Sequence, residues 1–341
     1  MRKTLLLLSI ILMISQCHQK TEFYPIEETR VMMDTFIQIV IYDQQRPKQE
    51  LKHIIDLAFD RIEQIDRITN SYVDSSLISY INQNADKTPV NIDSVLEQIL
   101  NVSLKISEIS SGAFDVTTGV IKEMWAFSSD NPTIPDSLQI KEKLKLVNFH
   151  ALKLYDHQIY LSMPGMKIDL GGVAKGYAID EAIAVLQKNG IKDALVNAGG
   201  DLKAICSDFT RGQRRVWIKH PRKPEALFGY FPLDSGSVAT SGDYERFFIK
   251  DSVRYHHILD PKTGFPSRKC LSVTVQTSSA TYADALATAI FVMGPEQGMI
   301  FVNKLPNVEA LIIFQKNGKL SFIASDGLKA KFKINQEVGN N

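Results

Sequence analysis

Cysteine is scarce in this chain: three in 341 residues, with no Cys-x-x-Cys pair and no metal-ligand spacing, so a disulfide scaffold, a structural zinc site and a thiol-based mechanism are not expected. Charge of one sign is missing too. Lys and Arg number 39 against 38 Asp and Glu, a net +1, so no field is available to gather nucleic acid, and no nucleic-acid partner is expected. Neither Gly-x-x-x-x-Gly-Lys-Ser/Thr nor Gly-x-Gly-x-x-Gly occurs, which removes the P-loop and the dinucleotide fingerprint. Beyond the first sixteen residues no apolar run reaches the length that spans a bilayer, and no internal repeat is visible. The remainder is ordinary globular usage, 44% hydrophobic and 23% charged.

The chain opens with Arg2 and Lys3, an apolar run from Leu5 to Ile14 broken only by Ser9, and then Ser15-Gln16-Cys17. A basic start, a short apolar stretch and a polar continuation form a secretory signal. Cys17 directly after it resembles a bacterial lipoprotein cleavage site, so the mature protein is expected to begin at a lipid-bearing Cys17; plain secretion is the alternative. The division that follows is residues 1–16 signal, 17–30 tether and 31–341 the folded domain. Cys206 and Cys270 either pair or stay buried as small hydrophobes.

Val31 to Tyr42 reads as a strand. Pro47 opens an amphipathic helix with Leu51, Ile54, Ile55, Ala58, Ile62, Ile65 and Ile68 on one stripe, and Asp93 caps a second that ends before Gly112. Residues 126–140, with Pro132 and Pro135, read as a loop. Ile159 to Ser162 and Met166 to Leu170 read as a hairpin around Met163-Pro164-Gly165. A helix is expected over Val173 to Lys188, a strand over Ala194 to Asn197, a long apolar helix from Tyr282 to Met293, and strands near Val308 to Phe314 and Leu320 to Ala324. Mixed elements without regular β-α-β alternation give an α+β fold.

The chemistry concentrates in short blocks of glycine and small polar residues. Gly112-Ala113-Phe114-Asp115 offers close backbone approach, a stacking face and an acceptor, or simply a helix C-cap and a turn. Asp169-Leu170-Gly171-Gly172-Val173-Ala174-Lys175-Gly176-Tyr177 puts a double glycine and a lysine at a helix start, which suits a phosphate or else marks a turn needing positive φ. Asn197-Ala198-Gly199-Gly200-Asp201 allows the same two readings. Ser241-Gly242-Asp243-Tyr244 leads into His256-His257-Ile258-Leu259-Asp260-Pro261-Lys262-Thr263-Gly264; adjacent histidines of a strand point to opposite faces, so only one enters a given site. Asp284 and Thr288 lie one helical turn apart in an apolar helix, placed either to hold a hard cation or, for Asp284, to cap the helix or pair with an arginine.

In this order the blocks resemble the ApbE family of FAD:protein FMN transferases from bacterial envelopes, over Met33 to the C-terminal strands. The family's Met-Gly-Thr stands here as Met33-Asp34-Thr35. The resemblance implies an α+β flavin transferase domain over residues 31–341. FAD, the substrate, would contact Met33, Tyr72, Ala113, Phe114, Asp115, Asp169, Lys175 and Ile258. Mg²⁺ would sit on the carbonyl of Gly172 and the side chains of Asp284 and Thr288. The implied reaction moves FMN from FAD to a Thr or Ser hydroxyl of an envelope flavoprotein and releases AMP; His257, an imidazole near half-ionised at neutral pH and inside a matched motif, is the candidate proton acceptor, with Asp284 its competitor. An FAD pyrophosphatase and a non-catalytic FAD-binding lipoprotein remain alternatives. The implied location is the cell envelope, lipid-anchored and facing the periplasm.

Overall fold

The computed structural model describes residues 25–43, 45–127, 132–208 and 210–335. The signal segment and Cys17 lie outside them. In chain order, β1 (Ile26–Met32) and β2 (Thr35–Ile41) form a hairpin, followed by α1 (Lys48–Thr69), α2 (Leu77–Asn84), β3 (Val90–Asn91), α3 (Ser94–Ile109), α4 (Gly119–Trp125) and α5 (Ser137–Leu144). Next come β4 (Leu152–Tyr155), β5 (Gln158–Leu161), α6 (Ala174–Lys188), β6 (Ala194–Ala198), β7 (Asp201–Ile205), β8 (Arg215–Lys219), β9 (Leu227–Pro232) and β10 (Gly236–Gly242). The chain continues through β11 (Phe247–Lys250), β12 (Val253–His256), β13 (Ser272–Thr277), α7 (Ala280–Met293), α8 (Pro295–Val302), β14 (Glu309–Lys316), β15 (Lys319–Ala324), α9 (Asp326–Lys329) and β16 (Lys333–Ile334).

An eight-stranded sheet in the order β1-β2-β6-β7-β10-β13-β14-β15 is the frame. Its pairs are antiparallel throughout, and alternate side chains go to opposite faces. Val196, Ala239 and Ile312 point into the main core with the stripes of α1, α3, α6 and α7. Leu195, Val238, Leu311 and Ile313 point the other way, against Val216, Ile218, Phe228 and Phe231 of the small sheet β16-β9-β8. The α1 stripe is buried as its periodicity predicts, Leu51, Ile54, Ile55, Ala58, Ile62 and Ile65 included. Each such aliphatic side chain contributes about 1.5–3 kcal/mol on leaving water. Asp93 caps α3 by accepting from the Leu96 amide at 2.8 Å. Helices and antiparallel strands in separate layers make the α+β fold that the sequence predicts.

Four expectations are corrected. The single strand over Val31 to Tyr42 is a hairpin turning at Met33 and Asp34, both at positive φ (52° and 58°). Its first strand starts at Ile26, so the sheet begins inside the segment read as tether. The Met163-Pro164-Gly165 hairpin does not form: β5 pairs with β4 through a turn at Asp156 and His157, also both at positive φ, and residues 166–170 form no strand, making one isolated bridge from Lys167 to Thr118 before Asp169 joins the cavity wall. The stretch read as a loop over 126–140 ends in α5, capped by Asp136 directly after Pro135. Among the described residues no helix is long and apolar enough to cross a membrane.

Candidate active site

Three junctions build the floor of one cavity. At the first, α3 ends in a turn whose Gly112 takes φ +74° and donates to Ser107 O at 2.9 Å, so the C-cap reading of this block holds. The chain then lays Ala113, Phe114 and Asp115 into the wall. Asp115 spends its carboxylate on the protein: Oδ1 accepts from the Thr117 amide (2.8 Å) and hydroxyl (2.6 Å), Oδ2 from the Phe149 amide (3.1 Å). Burial pushes its pKa up in spite of these bonds.

At the second junction neither Gly171 nor Gly172 takes positive φ, so a strained turn is not what requires them. Crowding is. A Cβ on Gly171 would come within 2.9 Å of Lys122 Nζ, and one on Gly172 within 3.1 Å of the Phe114 ring and 3.3 Å of Thr288 Oγ1. Asp169, just before them, pairs with Lys122 at 2.6 Å. Desolvation works to raise the Asp169 pKa, but the ammonium and the Gly171 amide outweigh it and hold the carboxyl below its usual range. Lys175 is ion-paired with Asp201, which also accepts from the Thr240 amide at 2.9 Å. That pair draws the lysine pKa upward against the opposing effect of burial. Gly199 and Gly200 form the two-residue turn between β6 and β7, at φ +63° and +106°, so the turn reading holds for this block, with Gly199 also in the cavity wall.

The third junction is the start of α7. Asp284 is buried, and its Oδ2 accepts from the Gly176 amide at 3.0 Å, so it caps the neighbouring helix α6 and pairs with no arginine among the described residues. Its other oxygen has no hydrogen-bond partner among the described residues. Desolvation, partly offset by Lys175 and reinforced by Asp201, pushes the Asp284 pKa up to about 7. Thr288, one turn on, lies 3.3 Å from Ser241 Oγ.

The two histidines separate as strand geometry requires. His256 is buried, with Nε2 donating to Ser267 O at 2.7 Å and Nδ1 accepting from the Ile258 amide. His257 lines the cavity, and its Nδ1 sits 3.2 Å from Arg246 O. A carbonyl can only accept, so the proton is on Nδ1 and the Nε2 lone pair is left for a ligand. Desolvation and the nearby Lys122 and His256 push this imidazole down to about 3, which keeps it neutral at physiological pH.

The cavity, about 340 Å³, is lined by every residue the resemblance assigns to FAD or metal binding and by the candidate proton acceptor: Met33, Tyr72, Ala113, Phe114, Asp115, Asp169, Gly172, Lys175, His257, Ile258, Asp284 and Thr288. Tyr72 is 56% exposed at its rim, a free aromatic face and not a core residue. Across the mouth Asp34 meets Arg246 at 3.5 Å. The sequence reading missed Lys122, whose partner is 47 positions away, and the pairing of Asp201 with Lys175; no local signal announces a long-range ion pair.

Among the described residues no group of three or more His, Cys, Asp and Glu forms a metal cluster. The donor set here is of another kind: a buried carboxylate with one oxygen unbonded, a hydroxyl one turn away, and Gly172 beside that hydroxyl, where a Cβ would lie 3.3 Å from it. All are oxygen donors with few charges, which fits Mg²⁺, a cation that keeps waters and takes substrate phosphate.

The sequence profile of the ApbE family matches residues 33–312. A FAD:protein FMN transferase of Treponema pallidum is 32% identical over 326 residues, covering 90% of each chain. Among solved structures, the ApbE protein of Thermotoga maritima aligns with a TM-score of 0.81 at 32% identity, over 90% of this chain and 99% of that one. The flavin transferase ApbE of Vibrio cholerae aligns with a TM-score of 0.80 at 25% identity, over 91% and 99%. With the matched profile spanning most of the sequence and the cavity assembled from the blocks that suggested it, the chain is a member of the ApbE family.

Proposed function

We propose that the chain is a Mg²⁺-dependent FAD:protein FMN transferase that moves FMN from FAD onto a Thr or Ser hydroxyl of a partner protein and releases AMP. The observation that carries this is the convergence of residues from Met33 to Thr288 on one cavity with a cationic lysine, an under-bonded carboxylate and a free imidazole nitrogen.

In this reading Lys175 faces the phosphates of FAD while Asp201 holds its ammonium in place. Phe114 and Tyr72 offer aromatic faces to the flat rings. The acceptor hydroxyl oxygen forms a bond to the phosphorus on the FMN side, the bridging P–O bond breaks, and that electron pair leaves with AMP. The hydroxyl proton goes to His257 Nε2. Arg246 O fixes the tautomer that makes this nitrogen an acceptor. Asp284, Thr288 and the Gly172 carbonyl would hold Mg²⁺, which when bound neutralises pyrophosphate charge. Asp284 then serves as ligand, and the imidazole is the group free to take the proton.

Incubation with FAD, Mg²⁺ and a threonine-bearing peptide, read by mass, tests the proposal. FMN attached to the peptide supports it; FMN and AMP released with the peptide unmodified makes the chain a pyrophosphatase, and unconsumed FAD a binding protein. For location, we read Cys17 as lipidated and the enzyme as held at the envelope, facing the periplasm. Replacing Cys17 by Ser is expected to move the protein from the membrane to the soluble fraction, and an unmodified Cys17 in the intact mass overturns that reading.

A further inference from the structure

Asp180 lies outside the cavity, yet it is among the most heavily bonded carboxylates in the molecule. Its Oδ2 accepts from Ser279 Oγ (2.7 Å), the Thr281 amide (2.9 Å) and Thr281 Oγ1 (2.7 Å); its Oδ1 accepts from the Ala280 amide (3.0 Å) and Lys203 Nζ (2.6 Å). Apart from the Lys203 ammonium, these donors belong to the N-terminus of α7. That helix already has a cap of its own, since Ser279 Oγ accepts from the Tyr282 amide. Asp180 therefore does something other than start the helix: it ties α7 to α6.

The tie has a partner one turn away. Gly176 and Asp180 share a face of α6 at a spacing of four, as Ala280, Asp284 and Thr288 share a face of α7. Asp180 of α6 takes the Ala280 amide of α7, and Asp284 of α7 takes the Gly176 amide of α6. Each helix start is held by the other helix's aspartate, with the two ties about 6 Å apart along the axes. Between them the backbones touch: a Cβ on Gly176 would lie 2.2 Å from Ala280 O. Asp284 lines the cavity and Asp180 does not.

We propose that Asp180 is a positioning residue for the metal side of the cavity, setting the register of α7 so that Asp284 and Thr288 stay opposite Gly172 and Lys175. The inference rests on the reading that Asp284 and Thr288 hold Mg²⁺. Weakening the tie leaves the FAD contacts outside α7 in place and moves the metal ligands by a fraction of an ångström, a displacement that Mg²⁺ affinity feels because this cation demands near-ideal octahedral geometry.

The test is a Mg²⁺ titration of the full chain. In Asp180→Asn, the Mg²⁺ concentration for half-maximal FAD turnover should rise at least about tenfold, while kcat at saturating Mg²⁺, where the cation holds its ligands in place, stays within about twofold and the FAD dissociation constant in EDTA is unchanged. The Mg²⁺-dependent rise in melting temperature, measured without turnover, should move to the same higher concentrations. Thr281→Val, which removes one bond and keeps the side-chain shape, should shift the titration about threefold, and it decides the matter if Asp180→Asn does not fold. Asp193→Asn is the control. It breaks a comparable buried network with Ser207, Thr210 and Arg214 away from the cavity, and should lower the melting temperature without moving the Mg²⁺ midpoint. Equal Mg²⁺ midpoints in parent and Asp180→Asn, or in Thr281→Val where that variant decides, overturn the inference, as does an equal shift in Asp193→Asn. A parent without Mg²⁺ dependence overturns the metal reading itself and is recognised before any variant is made.

Discussion

Asp284→Asn removes a charge and almost no volume, and the metal-free protein should become more stable for it. The parent carboxyl has its pKa pushed up from 3.8 to about 7 by burial, with Lys175 and Asp201 the charged groups beside it. The folded state thus holds this proton more tightly than the unfolded chain. The group's contribution to stability falls as pH rises from about 4 to about 7 and is flat above that. About three pKa units at 1.36 kcal/mol each set an upper bound near 4 kcal/mol, and solvent in the cavity reduces this to about 2 kcal/mol. For a chain of this size that is about 3 °C in melting temperature. Thermal melts in EDTA at pH 8.5 should show the asparagine variant about 3 °C above the parent, and at pH 5 about 1 °C above it. With FAD present throughout, adding saturating Mg²⁺ should raise the parent and leave the variant unmoved, reversing the order, while flavin transfer by the variant is lost. Thr288→Val, which removes a dipole and no charge, should raise the Mg²⁺ requirement less. An asparagine variant less stable than the parent at pH 8.5, or equal stabilisation of both by Mg²⁺, refutes the reasoning.

Gly176→Ala should lower the melting temperature by at least about 5 °C, as differential scanning calorimetry would show, because its Cβ meets backbone and not a movable side chain at Ala280. Lys122→Met leaves Asp169 ionised and unpaired in the cavity wall. With the Asp169 pKa held below its ordinary value, the pair stabilises above about pH 4 and is lost as pH falls through the folded value, so urea unfolding should show a deficit of about 2 kcal/mol at pH 7 that shrinks toward pH 3. His257→Gln should cut transfer about a hundredfold with FAD affinity unchanged. In the parent, the imidazole pKa near 3 places any acid limb of the rate profile due to this group below pH 5, which a pH–rate series with a stability control would read.

The helices were legible because α1 and α3 carry their apolar residues at strict helical spacing, with Asp93 and Gly112 as punctuation. The site was legible for a different reason: its residues sit at junctions where glycine and small polar side chains stand out from the surrounding apolar runs. What failed was turn chemistry. Met33-Asp34 and Asp156-His157 turn the chain at positive φ without a glycine or proline to announce it. Met163-Pro164-Gly165 carries a strong turn signal, yet Ile168 beyond it is engaged by Asn82, whose side chain bonds both its amide (2.8 Å) and its carbonyl (2.9 Å). Tertiary partners took the place of a returning strand. Pro135 suggests a loop, but a proline just ahead of a capping aspartate equally announces a helix. The first five residues of β1 escaped notice because Glu27, Glu28 and Arg30 leave this edge strand without an apolar run.

The exchange of aspartates between α6 and α7 also bears on how the cavity comes apart. The Gly176, Ala280 and Thr281 amides each depend on a carboxylate carried by the opposite helix. Neither helix start can fray alone without stranding the buried carboxylate of its neighbour, so the two open as a single cooperative unit. Those three amides should exchange with deuterium at one common rate, slower than the first turns of exposed helices such as α5, and the phosphate side and the carboxylate side of the cavity should be lost in the same event.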